Sequence, residues 1–100
     1  MNKKKCAYVL VDVKITNRDN YEKYKALAKP LVEKYGGQYL TRGGGMDVVL
    51  DELWSPIRMV LLKFPDMETA RIWINSPDYE PIKKMRTDNS IGTMVILEGL

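Results

Sequence analysis

Between Ala7 and Ile15 every second residue is apolar: Ala7, Val9, Val11, Val13 and Ile15 share one side, while Tyr8, Leu10, Asp12 and Lys14 take the other. This two-residue period predicts a strand over residues 6–15 with one face committed to a core. The period then changes. Tyr21, Tyr24, Ala28, Leu31, Val32 and Tyr35 recur at three- and four-residue spacing, the stripe of a helix that Asn17 caps and Gly36 ends. Pro30 falls inside it, where it removes one hydrogen bond and crowds the Ala26 carbonyl, so a kink near residues 26–30 is expected.

Gln38–Arg42 and Met46–Leu50 read as two short strands joined by Gly43-Gly44-Gly45, and Arg58–Phe64 as a longer strand after Ser55-Pro56. Asp66 caps a second helix through Asn75, with Ala70, Trp73 and Ile74 inward; Ser76-Pro77 starts a further turn or short helix, and Thr93–Glu98 closes as a strand. The order is the βαββαβ pattern of ferredoxin-like α+β folds, an antiparallel sheet with its helices on one face. One hundred residues suit one such domain, spanning 1–100, and the lysine-rich residues 1–5 are expected to be flexible.

A monomer of this design should be polar on the sheet face away from the helices. Instead strand one offers Tyr8 and Leu10 there, strand three is apolar on both sides (Val60, Leu62 and Phe64 against Met59 and Leu61), and Val95 and Leu97 lie opposite Met94 and Ile96. A homodimer with sheets packed face to face would bury the second face, and is expected.

Chemistry is limited first by what is missing. The chain has no histidine, which removes Ser-His-Asp and Cys-His activation and histidine ligation of haem or zinc. Its one cysteine, Cys6, allows no internal disulfide and fits a reducing compartment, the cytoplasm by default. No run of 18 apolar residues suggests a membrane span. The net charge is +3, but Lys3, Lys4 and Lys5 account for it, and the remaining 13 basic and 13 acidic residues balance. A body without net charge lacks the basic field that nucleic-acid binding needs. Asp47, Asp51 and Glu52 match no metal loop, and neither a metal nor a cofactor is expected.

The three glycines match no phosphate motif either: Gly45 is followed by Met46-Asp47 rather than Lys-Ser/Thr, and position 48 is valine. They are expected to turn the chain sharply between strands; the functional alternative is an anion nest formed by the Gly43 and Gly44 amides with Arg42. The candidate site lies between sheet and helices, with Asp12 as acceptor or base, Arg42 and Arg58 for an anionic group, Tyr24 and Tyr79 as hydroxyl donors and Trp54 as an aromatic wall. Asp12 and Arg42 are the candidate catalytic groups.

The run Tyr8-Val9-Leu10-Val11-Asp12-Val13, then Tyr21-x-x-Tyr24, Ala28-x-Pro30, Tyr35-Gly36-Gly37-x-Tyr39-Leu40-x-Arg42-Gly43-Gly44, Trp54-x-Pro56-x-Arg58, Phe64-Pro65, Ala70, Trp73, Ser76-Pro77-x-Tyr79 and Glu98-Gly99 resembles the family of domain of unknown function 1330. The resemblance covers nearly the whole chain and implies a dimeric α/β barrel in which two ferredoxin-like protomers pack sheet to sheet. It implies no established activity. Glu52 and Ile74 stand where the family pattern has a glycine and an aromatic residue. Two readings remain: a homodimer with a small-molecule site for an anionic or aromatic metabolite, with or without cofactor-independent enzyme activity, and a non-catalytic dimeric binding or structural module.

Overall fold

The computed structural model describes residues 4–100. Of the flexible start expected over residues 1–5, residues 1–3 lie outside that range, and Lys4 Nζ stands 3.3 Å from Glu68 and 3.7 Å from Asp66. The elements follow in the order β1 (Ala7–Ile15), α1 (Arg18–Lys34), β2 (Gln38–Arg42), β3 (Met59–Phe64), α2 (Met67–Ile74), α3 (Glu80–Asp88) and β4 (Ser90–Glu98). The four strands form one antiparallel sheet in the order β2-β3-β1-β4. This is the ferredoxin-like arrangement, with a third helix added before the last strand. Among the described residues no helix is long and apolar enough to cross a membrane.

Local chemistry explains the helix ends. Asn17 accepts the Asn20 N–H at the start of α1, and Asp66 does the same for Thr69 in α2, each satisfying a donor the first turn leaves free. Gly36, at φ 84°, follows the end of α1; its N–H donates to the Glu33 carbonyl and that of Gly37 to Val32, the paired bonds of a left-handed helix stop. α1 itself runs through Pro30.

Alternation in β1 decides the two faces of the sheet. Ala7, Val9, Val11 and Val13 are buried against the helices, together with Val60, Leu62 and Phe64 from β3 and Tyr21, Tyr24, Ala28, Val32, Ala70, Trp73 and Tyr79 from the helical layer. We call this the inner face. The outer face carries Tyr8, Leu10 and Asp12 beside Met59, Leu61 and Lys63 of β3 and Thr93, Val95 and Leu97 of β4. Val95 and Leu97 remain 41% and 46% exposed.

The second hairpin strand expected over Met46–Leu50 does not form: after β2 the chain has no regular structure until Met59. β3 lies between β2 and β1, and β2, the strand a hairpin would return along, keeps its outer edge unpaired. The side chains of the run stay outside, Val49 at 93% and Leu50 at 72% exposure. The glycines therefore begin a long excursion rather than joining two strands. The last strand, in turn, starts at Ser90, three residues before the expected Thr93.

Candidate functional site

Five aromatic side chains and two guanidinium groups converge between the inner face and the helices. Tyr21 and Tyr24 project from the buried stripe of α1, with ring centroids 5.2 Å apart. Tyr39 and Arg42 come from β2. Three residues apart, they would point to opposite faces of a regular strand, but the register slips at Leu40 and brings both inward. Arg42 stacks on Tyr39 at 4.2 Å and donates from Nη2 to the Lys25 carbonyl at 2.9 Å.

The Ser-Pro-x-Tyr segment supplies the opposite wall. Ser76 Oγ donates to the Trp73 carbonyl and accepts the Tyr79 N–H, a tight knot that turns Tyr79 beneath Trp73, with centroids 4.8 Å apart. The hydroxyls of Tyr79 and Tyr24 are 2.8 Å apart, and Arg86 Nη1 donates to Tyr79 Oη at 3.2 Å. Val11, Tyr21, Tyr24, Tyr39, Arg42, Trp73 and Arg86 are among the residues that enclose a cavity of about 20 Å³, room for one water molecule. The Trp73 indole N–H, fully buried, has no hydrogen-bond partner.

Every titratable group on this cavity is a phenol or a guanidinium; none is a carboxylate or an imidazole. Burial pushes the Tyr39 phenol up to about 12 against the opposing charge of Arg42. Burial, with Tyr24 beside it, raises Tyr79 further. Tyr21 is raised by burial and by Tyr24, and partly relieved by Arg58, Arg42 and Arg86. These phenols stay protonated at neutral pH, so the cavity presents donors and positive charge.

Asp12 and Trp54 are not part of it. Asp12 lies on the outer face, where it accepts Trp54 Nε1 at 2.9 Å and the N–H groups of Ile57 and Arg58 at 2.8 and 3.0 Å. The expected pairing of Asp12 with Arg42, Tyr24 and Tyr79 in one site is thus not formed, because alternation along β1 sends Asp12 away from the helices. Asp12 instead ties down the returning end of the excursion and, with Leu10, Trp54, Met59, Thr93 and Val95, lines an outer-face pocket of about 450 Å³. Burial pushes its carboxyl up, but the three donated hydrogen bonds more than offset this and hold it below the usual range. A carboxylate with a depressed folded pKa stabilises above its unfolded pKa of about 3.9 and loses that contribution as pH falls through the folded value. Asp12→Ala is therefore expected to lower Tm at pH 7 by a few degrees, and to narrow its gap from wild type below about pH 4; a gap that stays constant in acid would show that the clamp does not titrate.

Arg58 belongs to both faces: its backbone is held by Asp12, while its guanidinium lies 5.6 Å from the Tyr21 ring. Gly43, at φ 69°, makes room for it, since a Cβ there would fall 2.6 Å from Arg58 Nε. The Gly43 N–H donates to the Met59 carbonyl, and a Cβ at Gly44 would meet only Thr41 Oγ1, at 3.5 Å. The structure thus gathers Tyr24, Tyr79 and Arg42, sets Arg58 and Gly43 beside them, and leaves Gly44, Asp12 and Trp54 outside. Sequence reasoning missed Tyr21, Tyr39, Trp73 and Arg86 as site residues. For Arg86 a signal existed, because Tyr79, Ile82 and Arg86 follow i, i+3, i+7 spacing across α3.

A family model, Domain of unknown function (DUF1330), matches residues 6–100. The chain belongs to this family. Among solved structures, the DUF1330 protein described here is similar to RPA0582, a protein of unknown function from Rhodopseudomonas palustris, at 15% identity and TM-score 0.75, covering 97% of this chain and 84% of that one. It is also similar to SnoaB, a cofactor-independent oxygenase from Streptomyces nogalater (11%, TM-score 0.67, 93% and 91% covered), and to a putative antibiotic biosynthesis monooxygenase from Nitrosomonas europaea (18%, 0.56, 100% and 96%). At these identities the likeness is one of fold. No curated protein matches the chain in sequence.

Proposed function

We propose that this DUF1330 protein is a homodimer, packed outer face to outer face, in which each protomer binds a small anionic metabolite between sheet and helices. One observation carries the binding reading: Arg42, Arg58 and Arg86 surround the tyrosine cluster, yet among the described residues every ion pair is made by a lysine. Guanidinium groups left beside buried phenols without a carboxylate, and a buried indole N–H without an acceptor, carry desolvation costs that an anion would offset with charge-assisted hydrogen bonds. The dimer reading draws on the apolar rows of the outer face.

Calorimetric titration with acetate and its neutral isostere acetamide tests the site. Wild type is expected to prefer acetate at least tenfold. Arg42→Gln removes one charged contact of about 1.5–3 kcal/mol, so acetate should weaken roughly 10- to 100-fold while acetamide hardly changes. Equal affinity for both probes in wild type would overturn the reading.

Cofactor-independent oxygenation is the second reading, favoured by the likeness to SnoaB. Since no carboxylate or imidazole lines the cavity, a substrate would have to arrive already ionised, its charge stabilised by the donors around it. Oxygen uptake with ionised phenols or enols, absent in Arg42→Gln, is the readout.

A further inference from the structure

A cavity of about 20 Å³ is too small for a metabolite, and the way it could enlarge is written in the side chains of one wall. On the other side of Arg86 and Met94 lies a second pocket, of about 120 Å³, between α3 and β4; Val11, Arg86 and Met94 line both spaces. Together they approach the roughly 150 Å³ that accommodates a benzene ring. The partition consists of two long flexible side chains. Arg86 is held to it by its contact with Tyr79 Oη at 3.2 Å and a weak one with Met94 Sδ at 3.8 Å, and it makes no ion pair among the described residues. Met94 is unbranched and only half buried, so it repacks at low cost.

We infer that Arg86 and Met94 form a movable partition, and that when Arg86 turns toward its ligand the two spaces become one site for a single-ring carboxylate. This deepens the anion-site reading above and rests on it. The carboxylate sits at the inner end, where Arg42 and the unpartnered Trp73 N–H supply donors. Val11, Val13 and Met94 flank the ring. Thr87 and Ser90 stand at the outer end of the pocket, one exposed and the other half-buried. Arg86 is thereby a specificity residue: released from Tyr79, its guanidinium adds a second cation to the carboxylate, whereas a neutral ring gives it no reason to leave.

Acetate and benzoate serve as the two probes, titrated against wild type, Thr87→Phe and Met94→Ala. Thr87 is exposed on α3 and its hydroxyl bonds only to the Lys84 carbonyl, so a phenyl ring there fills the outer pocket without touching the inner one. In Thr87→Phe, benzoate is expected to bind at least tenfold more weakly while acetate stays within twofold of wild type. Met94→Ala, which thins the partition, should raise the association rate of benzoate at least threefold in stopped-flow measurements. Benzoate binding unchanged in both variants would overturn the inference, as would a wild type that takes acetate and refuses benzoate; either result leaves the inner anion site standing. A wild type that binds neither probe defeats both.

Discussion

Trp73→Ala is expected to be the most damaging single substitution in the protomer, costing about 3–5 kcal/mol and lowering Tm by more than ~10 °C in a domain of this size. Trp73 is 1% exposed, stacks on Phe64 with centroids 5.2 Å apart and covers Tyr79 at 4.8 Å, so its removal opens a void at the centre of the core. Trp73→Phe separates bulk from chemistry. It keeps the stacking and deletes the N–H that has no acceptor, a group whose burial costs about 1–3 kcal/mol, so the smaller ring should leave Tm within a few degrees of wild type. Acetate affinity should nevertheless fall severalfold. Thermal unfolding and titration on the same two variants decide the matter: a phenylalanine variant as unstable as the alanine one, or one that binds acetate normally, would remove the indole from the site.

Leu10→Glu is expected to convert the proposed dimer to monomers. Leu10 lies at the middle of the outer face, flanked by Leu61 on β3 and Val95 on β4, so sheet-to-sheet packing would bury it, and two-fold symmetry places two new carboxylates in the same interface. An unpaired buried charge costs several kcal/mol, and dimer dissociation should strengthen by more than about 100-fold. Light scattering after size exclusion reads the mass, and circular dichroism should remain that of wild type because Leu10 packs outside the inner core. A dimeric Leu10→Glu, or a monomeric wild type at high concentration, would eliminate the face-to-face assembly.

The fold was legible because its signals were periodic. Alternation over Ala7–Ile15, the tyrosine-led stripe of α1 and the caps at Asn17, Gly36 and Asp66 each depend on neighbours in sequence, and each reappears in place. What could not be read depends on partners distant in the chain. Met46–Leu50 has strand composition, yet it leaves the open edge of β2 unpaired and runs as an irregular excursion. The site was half legible for the same reason. Tyr24 stands on the apolar stripe of α1 and could be read as an inward hydroxyl, and Tyr79 and Arg42 were named for their residue type, whereas Asp12 looked like a companion only while its side of β1 was ignored. The one-residue slip at Leu40, which turns Arg42 toward Tyr39, has no signature in residue type.

Arg58 has a thermodynamic consequence. Its amide is fastened to Asp12 on the face proposed to meet a second copy, and its guanidinium rests between Gly43 and Tyr21 beside the proposed anion site. The two binding events therefore share one residue. If anion binding draws that guanidinium inward and the strain reaches the Asp12 clamp, ligand affinity and dimer affinity are linked, and linkage is symmetric: whatever factor assembly adds to ligand binding, the ligand returns to assembly. Saturation would then depend on protein concentration as well as on ligand, and the protein would report the abundance of its own chain together with that of the metabolite.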